Sequence, residues 1–161
     1  TLLCLWLGVT QVLWLGDGIV GDDTDGHVDD LTRFVGAATV VTAVERNRTD
    51  VNYHALADNL ARLRQMRLTD GRPLSIVELP MPEPVLGERG RLPASYANFY
   101  VGNGVVLVPV FGCPQDARAV EILTRCFPAR RIVPIDCRAV VEGLGTLHCL
   151  TQQIPARVAT R

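Results

Sequence analysis

Apolar and polar positions change period along the chain, and those changes predict its elements. Residues 1–15 are mostly apolar, interrupted at Gly8 and Gln11, and read as the end of a helix, a turn at Leu7-Gly8 and a strand over 11–15. Residues 29–35 and 39–43 read as two strands joined near Gly36, because the β-branched run Thr39-Val40-Val41-Thr42 suits a pleated, half-buried surface. From 52 to 68 the period lengthens. Leu56, Leu60, Leu63 and Arg67 recur at helical spacing with Ala57, Ala61 and Arg64 between them, which predicts an amphipathic helix with one buried stripe. Asp50 or Asn52 is placed to cap it and Asp70-Gly71 to end it, and a strand follows over 74–79.

Pro80, Pro82 and Pro84 with Gly87 and Gly90 exclude regular structure from about 80 to 93, which predicts a rim loop able to cover a pocket. The order then repeats. Strands over 99–101 and 105–109 pair across Gly102-Asn103-Gly104, a helix runs over 115–127 and a strand over 130–135. Two strand-strand-helix-strand units, with a third expected to start after Asp136, predict a repeated architecture in which each unit buries its face against its neighbours.

A chain of 161 residues, 48% of them apolar, is long enough to bury one sizeable core. Sixteen basic and seventeen acidic residues leave a formal net charge of −1, so the sequence predicts neither a nucleic-acid partner nor an anionic membrane partner. The apolar start is too short to span a bilayer and lacks the basic residues that open a signal peptide. It also begins without methionine and inside an expected element, which predicts processing or a fragment of a longer chain. Cys4, Cys113, Cys126, Cys137 and Cys149 are odd in number and widely spaced, with no Cys-x-x-Cys. They predict neither a disulfide framework nor a zinc site, and fit a reduced, cytoplasmic setting. Asn47-Arg48-Thr49 matches the glycosylation triplet, but without a secretory signal it reads as chance.

The first candidate for chemistry is Gly21-Asp22-Asp23-Thr24-Asp25-Gly26-His27-Val28-Asp29-Asp30, with five carboxylates, one histidine and no basic side chain. Such like charges must spread into solvent, bind a cation or accept a cationic substrate. One reading is a capping loop that uses one or two aspartates as turn acceptors. A calcium loop fits poorly: with Gly26 at its sixth position, the first and twelfth fall on Gly21 and Thr32, where an EF-hand needs acids. The third reading is a site for a planar guanidinium held by paired hydrogen bonds, with His27 beside it for proton transfer. In an extended segment His27 and Asp29 would share one face.

The second candidate is Gly143-Leu144-Gly145-Thr146-Leu147-His148-Cys149-Leu150-Thr151-Gln152-Gln153. A cysteine in an apolar run is ordinarily a small buried hydrophobe. Here glycines that permit close backbone approach precede it, and three polar residues follow. A histidine-cysteine pair assembles in space, so the distance along the chain from His27 to Cys149 is no objection. His148, adjacent to Cys149, would point to the opposite face of a strand, which favours His27 as the proton carrier.

Trp14-Leu15, the acidic run through Asp29 with Arg33-Phe34, Leu92-Pro93-Ala94-Ser95-Tyr96-Ala97-Asn98-Phe99-Tyr100 and His148-Cys149-Leu150-Thr151-Gln152-Gln153-Ile154-Pro155 together resemble the agmatine deiminase family, related to bacterial-type peptidylarginine deiminases. The matches run from about residue 12 to 155 in the family's order. The resemblance implies an α/β propeller of five ββαβ blades, the pentein fold, of which residues 1–161 would supply about the last half as part of a single domain. It implies Cys149 as nucleophile and His27 as general acid and base. Asp29 would bind guanidinium, Asp22 or Asp23 would make a further acidic contact, and Gly145 would line the substrate site. No metal or organic cofactor is implied. The expected reaction is deimination of a small guanidine, agmatine giving N-carbamoylputrescine and ammonia on the way to putrescine and other polyamines. A homo-oligomer is compatible with it. The family's first-blade aspartate and aromatic contacts have no counterpart here, and Leu144 stands where the family usually carries glycine. Peptidylarginine or free arginine is the alternative substrate, and a non-catalytic homologue that binds other subunits is the alternative class.

Overall fold

Two stretches of the chain fold into the same order of elements with the same strand directions. The computed structural model describes residues 2–22, 26–88 and 90–154. Helix α1, Leu2–Leu7, opens it and buries none of its six residues. The strand expected over 11–15 is absent. That segment is tied down by side chains instead: Gln11 donates to the Arg67 carbonyl at 2.8 Å, and the Asn59 side chain accepts from the Gly16 N–H at 2.7 Å and donates to the Asp17 carbonyl at 2.8 Å.

In the first unit, β1 (Thr32–Phe34) pairs antiparallel with β2 (Thr39–Val44). Helix α2 (Tyr53–Gln65) then returns the chain to β3 (Ser75–Pro80), which lies parallel to β2. The strand expected from residue 29 starts three residues later, because Val28–Asp30 forms a 3-10 turn. Asn52 occupies the α2 N-cap without capping it. Its side-chain oxygen accepts from the Val20 N–H at 2.9 Å instead, while Asp50 accepts from the Asn52 N–H at 2.8 Å. The helix ends at Gln65, before the Asp70-Gly71 turn expected to stop it. Leu56 and Leu63 form its buried stripe together with Asn59, and Leu60 is only half-buried.

The stretch 80–93 corrects the expectation of an irregular loop. Leu86–Gly87 (β4) and Gly90–Arg91 (β5) form a short antiparallel hairpin, possible because Pro80, Pro82 and Pro84 lie before it and Pro93 after it. Arg91 anchors the hairpin by two hydrogen bonds to the buried Asp50 carboxylate, at 2.7 and 2.8 Å, and Leu92 enters the core.

The second unit repeats the first. Tyr96–Asn98 forms a 3-10 turn, β6 (Tyr100–Val101) pairs antiparallel with β7 (Val105–Val110), α3 (Gln115–Cys126) crosses over, and β8 (Arg131–Asp136) runs parallel to β7. The expected hairpin is present, closed by the Gly102 N–H on the Val105 carbonyl at 2.9 Å. After β8 the described residues hold a 3-10 turn at Val140–Gly143 and no further strand, so the third unit expected after Asp136 does not appear among them.

The two sides of β2 serve different cores, as period-two alternation requires. Val40 packs with Leu63 and Leu74, whereas Val41 joins a larger cluster with Leu79, Phe99, Val106, Val108 and Leu123 that unites both units. Helix α3 packs against both β3 and β8, so an apolar core lies between the units. Tyr96 is fully buried there. Its hydroxyl donates to Asp116 at 2.6 Å, and Asp116 in turn accepts the Phe111, Gly112 and Cys113 N–H groups, which pins the 96–98 turn to the start of α3. Among the described residues no helix is long and apolar enough to cross a membrane.

Candidate active site

Each unit begins with a 3-10 turn, and the two turns meet. Asp29 and Asp30 come from the first, Asn98 from the second, and the turn 147–150 brings His148 and Cys149 to both. Asp29 Oδ2 lies 2.6 Å from His148 Nδ1, 3.4 Å from Cys149 Sγ and 3.1 Å from Asn98 Nδ2. Cys149 and Asp29, 120 residues apart in sequence, therefore stand side by side.

Two local features allow this. A Cβ on Gly145 would lie 2.7 Å from Cys149 Cβ and 2.8 Å from its sulfur, so only glycine lets the backbone double back beside the thiol. Gly26 reaches φ +114°, and its backbone lies so close to Gly18 that a Cβ on Gly18 would meet Gly26 Cα at 2.4 Å. That close packing of two glycines leads the chain into His27 and the first turn.

His27 and Asp29 are not on alternate positions of a strand, because the turn replaces it. Asp22 accepts the His27 backbone N–H at 2.5 Å, and its carboxylate lies 3.5 Å from His27 Nδ1. The His27 ring is 45% exposed while the Asp22 side chain is buried. Of the two aspartates left open by the sequence, Asp22 is placed beside His27; Asp23 lies outside the described residues. His148 departs from its expected orientation. Residues 147–150 form a turn, with the Leu150 N–H on the Thr146 carbonyl, so neighbouring side chains need not oppose one another and both His148 and Cys149 reach Asp29.

Electrostatics divide the carboxylates. Burial alone would push Asp29 up, but hydrogen bonds from His148 and Cys149 outweigh it and hold this carboxyl below its ordinary value. Asp30, almost inaccessible, is pushed up to about 7 by burial and by the neighbouring charge of Asp29, with Asn98 opposing. The exposed Cys149 thiol is raised by desolvation and by both aspartates, against a hydrogen bond from Asn98. Arg33 supplies the nearby positive charge. It donates to the Ala97 and Phe99 carbonyls at 3.2 and 3.0 Å and stacks over the Phe99 ring, locking the second turn against the first unit. A cation drawn to Asp29 would therefore relieve the repulsion that keeps the thiol protonated.

Ligand atoms of Asp22, His27 and Asp30 lie within 4.8 Å of one another, near enough to share a metal ion. Asp30 holds its proton up to about 7, so occupancy would first have to displace it. Volume points elsewhere, to a cavity of about 560 Å³ lined by Arg46, Glu78, Arg118 and Cys126. Its charges are already paired, Arg46 with Glu78 and Arg118 with Glu121, and burial pushes its thiol up.

Sequence reasoning gave Asn98 no role, although it contacts Asp29, Asp30 and Cys149. The available signal was a polar residue inside the buried stretch 95–99, where an amide must find partners.

The family of Porphyromonas-type peptidyl-arginine deiminases matches residues 1–155. A protein of Selenomonas ruminantium provisionally named agmatine deiminase is 40% identical, over 96% of this chain and 47% of its own. Among solved structures, the agmatine deiminase of Enterococcus faecalis superposes with a TM-score of 0.90 at 35% identity, covering 97% of this chain and 47% of that one. A C. jejuni agmatine deiminase with a cysteine replaced by serine and substrate bound gives a TM-score of 0.82 at 32% identity, over 91% and 42%. The chain spans about half the length of these relatives. With the match covering nearly all of its length, and with α/β units that superpose on deiminases of the pentein fold, the chain belongs to the Porphyromonas-type peptidyl-arginine deiminase family.

Proposed function

We propose that this chain carries the nucleophile, the proton carrier and one substrate carboxylate of a hydrolase that deiminates a small guanidine, with agmatine as substrate. The observation that carries the reading is Cys149 Sγ at 3.4 Å from Asp29 Oδ2, because a guanidinium held by that carboxylate would present its central carbon to the sulfur. The thiolate adds to this carbon, and the C–N bond to a terminal amino group breaks as His27 gives that nitrogen a proton. Ammonia leaves, and an S-alkylthiouronium remains. Water then adds with His27 taking one of its protons, and the C–S bond breaks to release N-carbamoylputrescine and the thiolate as the second water proton passes to solvent, where ammonia takes it up as ammonium. His148 orients Asp29 through its 2.6 Å contact. Asp22 fixes His27, and Gly145 leaves room beside the sulfur.

Agmatine is the substrate in the names of the similar proteins from S. ruminantium, E. faecalis and C. jejuni. The family's own description favours a second reading, in which the guanidinium belongs to a peptidyl arginine. We read the two ββαβ units as blades of an α/β propeller of which this chain forms about half. Their shared topology, the coverage of the relatives and the bare apolar helix α1 support that reading. The test is ammonia release from agmatine and from a peptidyl-arginine substrate by the full-length protein carrying this chain, and by variants with each cysteine replaced in turn by alanine. Cys149→Ala alone should abolish release; near-normal turnover in that variant would remove the nucleophile assignment. Release from the peptide and not from agmatine would move the substrate to the second reading.

A further inference from the structure

Asn98 is fully buried, and its side-chain amide has a full complement of partners of matching polarity. On the oxygen side stand only donors: Thr146 Oγ1 at 2.9 Å, His148 N at 3.0 Å, and Thr146 N and Cys149 N at 3.3 Å each. On the nitrogen side stand only acceptors: Asp30 Oδ1 at 3.0 Å, Asp29 Oδ2 at 3.1 Å and Cys149 Sγ at 3.1 Å. Turning the amide over would set N–H against N–H and carbonyl against carboxylate, so its orientation is determined by its surroundings.

We propose that Asn98 is the positioning residue of this site, one amide that holds the Cys149 sulfur beside the Asp29 carboxylate while its oxygen fixes the backbone of the turn carrying the sulfur. The contacts themselves are independent of substrate, and only the catalytic consequence rests on the deiminase reading. The geometry explains why no other residue type serves. Aspartate would bring a third carboxylate to Asp29 and Asp30 and lose the donor to sulfur, and alanine would take the acceptor from the Thr146 and Cys149 N–H groups and leave the His148 N–H only the residue 98 carbonyl. Sulfur next to two carboxylates is a poor place to develop negative charge. Of the neighbours that act on the thiol, Asp29 and Asp30 oppose its ionisation, and the Asn98 amide favours it. The same amide leaves the sulfur and the carboxylate on one side of a common donor, so a planar cation bound to Asp29 meets the nucleophile without a search.

The test is the pH profile of Cys149 alkylation by iodoacetamide, followed by mass spectrometry of the peptide that contains it, together with agmatine kinetics, in the full-length protein carrying this chain. Asn98→Asp is nearly isosteric and should raise the alkylation midpoint by about one pH unit, with reaction at pH 7 about tenfold slower. Its kcat should fall about 10²-fold while KM changes by less than about threefold. A folded Asn98→Asp or Asn98→Ala variant whose midpoint stays within about 0.3 pH unit of the parent would overturn the proposal. Should neither variant fold, Thr146→Val decides, since it removes only the 2.9 Å donor that steadies the amide. It should slow alkylation at pH 7 about threefold, with recovery in Thr146→Ser, and an unchanged profile would again overturn the proposal. If the parent releases no ammonia from any guanidine but its alkylation profile still moves with position 98, the deiminase reading fails and the positioning role stands.

Discussion

Asp30 has a carboxyl whose surroundings disfavour its charge. It is almost inaccessible, Oδ2 has no hydrogen-bond partner among the described residues, and burial together with Asp29 and Asp22 pushes it up from 3.8 to about 7. Between those values the folded chain holds a proton that the unfolded chain has lost, so stability falls as pH rises through this window. The limit of that loss is on the order of 4 kcal/mol. Asp30→Asn keeps the shape and cannot ionise. Urea melts at pH 5, 6, 7 and 8 should show the parent weakening relative to this variant, and parallel curves would mean that Asp30 is charged in the folded state throughout. At this scale the sequence was informative where chemistry demands a rare combination. Cys149, and His27 with Asp29, stand out by type and company; in the structure Cys149 lies beside Asp29, and His27 beside Asp22. What stayed hidden were the contacts made by unremarkable residue types. Asn98 reads as a turn former, and the link from His148 to Asp29 depends on a turn that replaces the assumed strand.

Leu144 ends the 3-10 turn Val140–Gly143 with φ +64°, the one non-glycine residue with positive φ among those described. The left-handed conformation costs an L-residue with a Cβ about 1–2 kcal/mol, and Leu144 is 37% exposed, so its burial is only partial. Comparing two truncations isolates the backbone effect, since both lose the isobutyl group. Leu144→Gly should be more stable than Leu144→Ala by about 1 kcal/mol in urea unfolding, and equality would show that the turn relaxes without strain. The strand-strand-helix-strand order was legible because each change of period is strong: β-branched runs for β2 and β7, and helical spacing for α2 and α3. Failures cluster where side chains rather than ladders hold the backbone. Residues 11–15 look like a strand but are fastened by the Gln11 side chain and, just beyond, by Asn59 on Gly16 and Asp17, and residues 28–30 look extended but close a turn onto the His27 carbonyl. Proline and glycine content hid β4 and β5, which need only two residues each.

The whole chain presents an uncovered apolar face. In α1, Leu2, Leu5, Trp6 and Leu7 are each at least 67% exposed, and Trp14 adds 64%. A cluster of that kind marks a surface that another body covers. Expressed alone, residues 1–161 should therefore self-associate as concentration rises in light scattering. The double change Leu5→Glu and Trp6→Glu should reduce that association, and a chain that stays monomeric without it would show that the helix is tolerated bare. The site has the opposite character, since it lies at the join of two units rather than in either. Strand pairing inside each unit links modest stretches of chain across one helix, whereas the contacts of Asp29 with Asn98 and Cys149 close loops of 69 and 120 residues. Long closures are entropically dearer and slower than local ones. This cost predicts that the two turns and the Cys149 segment come together after the sheets and helices have formed. On that expectation time enters the candidate site: it is completed last in folding, and a loosening of the seam would take it apart while the secondary structure still stands.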